Sequence, residues 1–244
     1  MLITYQATLL SRRSLTDDVY HVSFSWPTDG TWTFQAGQYM IFHIPQSDGH
    51  PARRLYSIAS PPSQKGSLDF VIELIPDGIG STYIHTLPIG QQTTIQGPAG
   101  VFTFKSPPER TPIFLATGTG IAPNYSIIHE LLTSGYTQPV YLYWGLKTNH
   151  DLYLHTELDA LAKQYPNFTH KVCLSREAEL ESVSCFMKGH INDGYEAMLE
   201  EKKAQRGNFD YYLCGSKHVV ESLRTYLTEK GVPASQVFFE KFTT

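Results

Sequence analysis

At KSPPERTP, residues 105–112, the periodicity of the chain changes, and that change limits the folds open to it. Before it, Val22, Phe24 and Trp26 alternate with polar residues, and residues 39–44 and 68–74 form further strand-like runs. Gly37, Gly66, Gly78, Gly80, Gly90 and several prolines punctuate these runs. Short strands at this spacing predict an antiparallel β-barrel or sandwich. After it, strand and helix signals alternate. Residues 113–116, 140–144, 168–174, 211–214 and 237–239 read as strands. Between them, Ile127, Ile128, Leu131 and Leu132, then Leu152, Leu158 and Leu161, then Val219, Val220, Leu223 and Leu227 mark helical faces. This alternation predicts a parallel sheet with helices on both sides. Three prolines among charges read as a connector, so a barrel over 1–106 is expected to precede an α/β domain over 107–244.

A length of 244 residues accommodates two such domains, and 41% hydrophobic with 17% charged residues suits packed cores. The net charge of -4 argues against nucleic acid or an anionic membrane surface as partner. Residues 1–11 carry no secretory pattern and no apolar run reaches bilayer length, so a cytoplasmic protein without a membrane span is expected. Cys173, Cys185 and Cys214 are far apart and form no CxxC, and the ten histidines form no HExxH. A reducing compartment and a metal-free protein are therefore expected.

Three stretches carry chemistry. In Arg53-Arg54-Leu55-Tyr56-Ser57 a cation sits on a strand-like run, where it needs an anionic partner. In Thr117-Gly118-Thr119-Gly120-Ile121-Ala122-Pro123 glycines separate a strand from a helix, which lets backbone N–H groups approach a phosphate at a helix N-terminus. A plain tight turn fits the same residues, because Pro123 stands where GxGxxG has its third glycine and the next strand ends at Gly145 rather than at an acidic residue. Ser175 and Arg176 follow the third strand of the second half. They suit a phosphate clamp at the carboxyl edge of a parallel sheet, while their spacing alone favours a helix cap with a solvated arginine.

Taken in order, the motifs resemble the ferredoxin–NADP reductase superfamily over nearly the whole chain. The matches are Arg54-Leu55-Tyr56-Ser57, Gly78-Ile79-Gly80-Ser81, Gly97-Pro98-Ala99-Gly100, Thr117 to Pro123, Ser175-Arg176-Glu177, Cys214-Gly215 and Glu240-Lys241-Phe242. The resemblance implies a single-chain flavoprotein without an iron–sulfur domain, in which FAD takes hydride at N5 from NADPH or NADH. It implies that Arg54 meets the flavin phosphate, Tyr56 lies against the isoalloxazine and Ser57 reaches toward N5. It further implies that Gly78, Gly80, Ser81 and Thr82 give donors to the pyrophosphate. Thr117, Gly118, Thr119, Gly120, Pro123 and Gly215 would receive the nicotinamide nucleotide, and Ser175 and Arg176 the 2′-phosphate, with His190 as a possible helper. Cys214 and Glu240 would stand with Ser57 around the hydride transfer, and Phe242 would cover the ring. Electrons would pass to a small carrier protein, ferredoxin or flavodoxin; free flavin or a ferric chelate is the alternative acceptor. A non-catalytic nucleotide-binding module is a third reading. The chain departs from the family pattern at Asn124, where Phe is common, at Lys147, where Arg is usual, and at His218, where Met is common.

Overall fold

The computed structural model describes residues 2–28, 32–180 and 185–242. The chain divides into two compact units, one formed by residues 1–104 with 125–130 and one by the remainder from 105 onward.

The first unit holds six antiparallel strands: β1 (Ile3–Ser14), β2 (Val19–Ser25), β3 (Tyr39–Ile44), β4 (Ala52–Ser57), β5 (Ser67–Glu73) and β6 (Gln92–Ala99). Their order is β4-β3-β6-β1-β2-β5. The sheet curls until its two edges meet, where Ile58, just past β4, bridges Phe70 of β5. Closure of this kind removes exposed edges. The two-residue period has the cause the sequence suggests: along β3, Met40, Phe42 and Ile44 are buried while Tyr39, Ile41 and His43 are partly exposed. Phe24, Phe42 and Phe70 meet edge to face with ring centroids 5.2–6.2 Å apart. One helix, α1 (Ile79–Thr86), interrupts the strands.

The second unit is a six-stranded parallel sheet: β7 (Thr111–Thr117), β8 (Val140–Leu146), β9 (Phe168–Leu174), β10 (Phe186–Lys188), β11 (Phe209–Ser216) and β12 (Val237–Phe242). Its order is β10-β9-β8-β7-β11-β12. The helices are α3 (His155–Gln164), α4 (Ile191–Lys202), α5 (Lys217–Glu229) and the two ends of α2 (Ile121–Thr133), whose residues 125–130 count with the first unit. Inner strands of such a sheet are covered on both faces. Accordingly residues 112–116 of β7 and 140–144 of β8 are all buried. On α5, Val220, Leu223 and Leu227 form the buried stripe. Leu152 lies ahead of α3 rather than in it, in a short 3-10 turn region closed by the Asp151 carboxylate on the Thr148 N–H. Among the described residues no helix is long and apolar enough to cross a membrane.

From β7 the chain goes to β8 on one side, and later to β11 on the other. Beyond the carboxyl ends of β7 and β11 therefore lies the topological switch point, where open α/β sheets bind ligands.

Candidate functional site

In the first unit the chemistry gathers where α1 begins. Successive strand side chains point to opposite faces, so Arg54 and Tyr56 share one face of β4 and Arg53 and Leu55 the other. Arg53 is held by the side-chain oxygen of Gln96, at 2.8 Å. Arg54 is exposed, and its Nη1 donates to the carbonyl of Arg53 at 2.9 Å. The Tyr56 ring stands edge-on to Phe42, centroids 5.3 Å apart. Burial pushes the Tyr56 hydroxyl up to about 12, against the nearby Arg54 charge, which lowers it. The phenol is thus a neutral hydrogen-bonding group at any physiological pH.

Gly80 ties this strand to α1. A Cβ there would lie 2.6 Å from both the Arg54 Cγ and the Tyr56 hydroxyl, so only glycine lets the first helical turn lie across the Arg54–Tyr56 face. The early N–H groups of a helix have no intrahelical acceptor, and the dipole favours an anion there. Ser81 is buried and its hydroxyl is engaged locally, accepting from the Ile75 N–H at 3.1 Å and lying 3.3 Å from the Gly78 carbonyl. It shapes the turn from which α1 starts, with Gly78 as the N-cap. Thr82 is exposed and its N–H donates to the Gly78 carbonyl at 2.9 Å. Ser57 is buried at the end of β4. A guanidinium, a helix N-terminus and an aromatic hydroxyl, packed round a side chain that must be absent, fit a flavin nucleotide with its phosphates at Arg54.

In the second unit the predicted residues come together along one edge. Register pairs Ala116 with Cys214, Cys214 with Glu240, Thr117 with Gly145, and Ser216 with Phe242. Gly118–Gly120 forms a 3-10 turn between β7 and α2. A Cβ on Gly120 would lie 2.3 Å from the Cys214 carbonyl oxygen, and one on Gly215 would lie 2.2 Å from the Thr117 Oγ1. Gly118 has a φ of +50° and open space where its side chain would be. Its carbonyl accepts the Trp144 indole N–H at 3.0 Å, which fixes the turn from the far side. Pro123 is the third residue of α2, still among the positions whose N–H lacks an intrahelical partner. The arrangement leaves N–H groups and free space at a helix start, as a nucleotide phosphate requires.

Cys214 is fully buried, and burial, with the Glu240 carboxylate adding to it, pushes its thiol well up. It stands as a neutral thiol. Phe242 is the last residue of β12 and is half-buried. Ser175 and Arg176 cap no helix: they follow β9, with their N–H groups on the carbonyls of Leu146 (3.1 Å) and Lys147 (2.8 Å). The Ser175 hydroxyl lies 3.3 Å from the Leu146 carbonyl, and Arg176 is exposed. Glu177 accepts the Asn149 N–H at 2.6 Å, which joins the loops after β8 and β9. His190 is exposed and is the N-cap of α4, its N–H on the Asp193 carboxylate at 2.7 Å. Asn124 is fully buried with no hydrogen-bond partner for either side-chain atom among the described residues. His218 and Lys147 are exposed. Helix α4 escaped the sequence reading, although Ile191, Tyr195, Met198 and Leu199 carry a helical period.

Residues 6–104 match the oxidoreductase FAD-binding domain family, and residues 114–225 the oxidoreductase NAD-binding domain family. The toluate 1,2-dioxygenase electron transfer component of Pseudomonas putida is 28% identical over 239 residues, covering 98% of this chain and 67% of that protein. Ferredoxin–NADP reductase B of Sorangium cellulosum is 28% identical over 242 residues, covering 98% and 97%. A ferredoxin NADP+ reductase from Neisseria gonorrhoeae, solved with bound FAD and NADP, has the same fold, with a TM-score of 0.83 at 19% identity and 98% of each chain covered. The chain spans 58–67% of the length of the first four curated relatives it matches.

Proposed function

Because this chain belongs to the superfamily of FAD- and NAD(P)-binding oxidoreductases that includes ferredoxin–NADP reductase, we propose that it is an NAD(P)H-dependent flavoprotein reductase that passes electrons to a separate carrier protein. The observation that carries the reading is the convergence of Arg54, Tyr56 and the start of α1 round Gly80. FAD, when bound, would supply hydride acceptance and one-electron transfer, chemistry that belongs to the cofactor.

The residues do the placing. Arg54 and the α1 N-terminus neutralise the pyrophosphate, through charge-assisted hydrogen bonds worth about 1.5–3 kcal/mol each. Tyr56 offers apolar surface and an uncharged hydroxyl, and Ser57 a small hydrogen-bonding group beside it. Gly118–Gly120 and α2 receive the nicotinamide dinucleotide phosphates at the switch point. Cys214 presents a neutral thiol at the end of β11, suited to packing against a nicotinamide rather than to attacking it. Glu240 and Phe242 flank it from β12. Holding donor and acceptor in one geometry is the catalytic contribution. Ser175 and Arg176 offer a hydroxyl and a guanidinium to a 2′-phosphate, which favours NADPH over NADH.

A carrier protein is preferred to free flavin as acceptor because Arg54 and the start of α1, brought together at Gly80, offer a retained flavin its phosphate contacts. The experiment is an NADPH oxidation assay with ferredoxin, flavodoxin or free FMN in turn. Faster turnover with a protein carrier supports the assignment. Turnover that needs free flavin and ignores both carriers replaces it with a flavin reductase.

A further inference from the structure

Away from the switch point, the second unit brings together three side chains that the mechanism does not use. Asp159 on α3, His170 on β9 and Cys185 just before β10 each offer one ligating atom, and these atoms lie within 4.8 Å of one another. His170 Nε2 and Asp159 Oδ1 are 3.1 Å apart. The imidazole is buried; its Nε2 faces that carboxylate, while its Nδ1 has no hydrogen-bond partner among the described residues. A buried polar ring left so is costly unless something else satisfies it. Its orientation is fixed by stacking on Phe168, centroids 5.7 Å apart and planes 18° from parallel. Cys185 is buried, and its carbonyl accepts the Val172 N–H at 2.8 Å.

We propose that Asp159, His170 and Cys185 form a zinc site, with a carboxylate oxygen, an imidazole nitrogen and a thiolate as ligands and water in the fourth position. A nitrogen, oxygen and sulfur set suits zinc, whereas magnesium and calcium want oxygen alone. Tetrahedral zinc places such donors about 3.3–3.6 Å apart. The Asp159–His170 pair, at 3.1 Å, has to open only slightly, and Cys185, within 4.8 Å of both, has to approach by about 1 Å. Asp159 is the partly exposed member, with 36% of its side chain accessible, so an ion can enter from its side. Binding forms a zinc–sulfur bond and releases the Cys185 proton to solvent; no electron is transferred. The ion would tie α3 and β9 to Cys185, just before β10.

The test is zinc stoichiometry by atomic emission on the flavin-loaded protein after incubation with zinc and gel filtration, together with the melting temperature with zinc and with a chelator. About one zinc per chain and a zinc-dependent rise in melting temperature are expected, with both lost in Cys185→Ser and in Asp159→Asn. Asp159→Asn is the partly exposed change and decides the matter if Cys185→Ser does not fold. Absence of retained zinc in the parent protein would overturn the site, as would zinc retained at the parent level in both variants.

Discussion

The backbone of Gly120 touches the backbone of Cys214: a Cβ on the glycine would lie 2.3 Å from the Cys214 carbonyl oxygen. The turn that follows β7 is thereby pressed against the end of β11, and Gly215 meets Thr117 with a similar lack of room. Two stretches far apart in sequence, Thr117–Pro123 and Cys214–Gly215, so become one surface. At Gly120 every near neighbour is backbone, so a methyl group added there has to move backbone.

Gly120→Ala should therefore destabilise the second unit by about 1–3 kcal/mol, the usual range for overpacking, and raise the KM for the nicotinamide nucleotide. Flavin retention, which belongs to the first unit, should be unchanged. Thermal melts and steady-state kinetics on the same preparation measure both.

Arg54→Ala should weaken FAD by about 10- to 150-fold, the loss of one charge-assisted hydrogen bond of about 1.5–3 kcal/mol. Arg54→Lys should recover part of it, because an ammonium keeps the charge without the fork. Fluorescence titration of the flavin-free protein with FAD gives the constants.

Much of this was legible in the sequence, for reasons that individual residues show. The strand read at residues 113–116 lies inside β7 because the run is apolar on both faces, and of the glycines that follow, Gly120 is forced by the Cys214 backbone and Gly118 by its positive φ. The Arg54–Tyr56 face is legible as a charge on a strand, but not the helix start that meets it, since Gly80 shows its purpose only in three dimensions. The Ser175 and Arg176 turn was open to a helix-cap reading because nothing local says that the next helix waits until Ile191. Asp159, His170 and Cys185 are 11 and 15 residues apart, a spacing no ligand motif uses, so a reading by spacing expects no metal. Their proximity comes from α3 crossing β9 and from β10 pairing beside it.

Acid should weaken the first unit through Asp69. Its burial would raise the carboxyl pKa, but hydrogen bonds from His21, Gln64 and Ser23 outweigh that and hold it below the ordinary value. A carboxyl with a depressed folded pKa stabilises the fold above the unfolded pKa, and the contribution is lost as pH falls through the folded one. Urea denaturation should show stability falling below about pH 4, where unfolded carboxyls take up protons. Asp69→Asn should be less stable at neutral pH and should show a smaller loss on acidification.

Ser175→Ala combined with Arg176→Ala should raise the KM for NADPH about tenfold or more while leaving that for NADH nearly unchanged, since only the former carries a 2′-phosphate for a charge-assisted contact. Equal effects on the two nucleotides would remove these residues from the 2′-phosphate site.

Every role assigned above requires that this chain hold a flavin that NAD(P)H reduces. The direct measurement is the visible spectrum of the purified protein after gel filtration, followed anaerobically as NADPH and then, separately, NADH is added. Flavin bands that persist through the column and bleach on addition, faster with NADPH, are the predicted result. A colourless protein that oxidises NAD(P)H only when free flavin is supplied would contradict it.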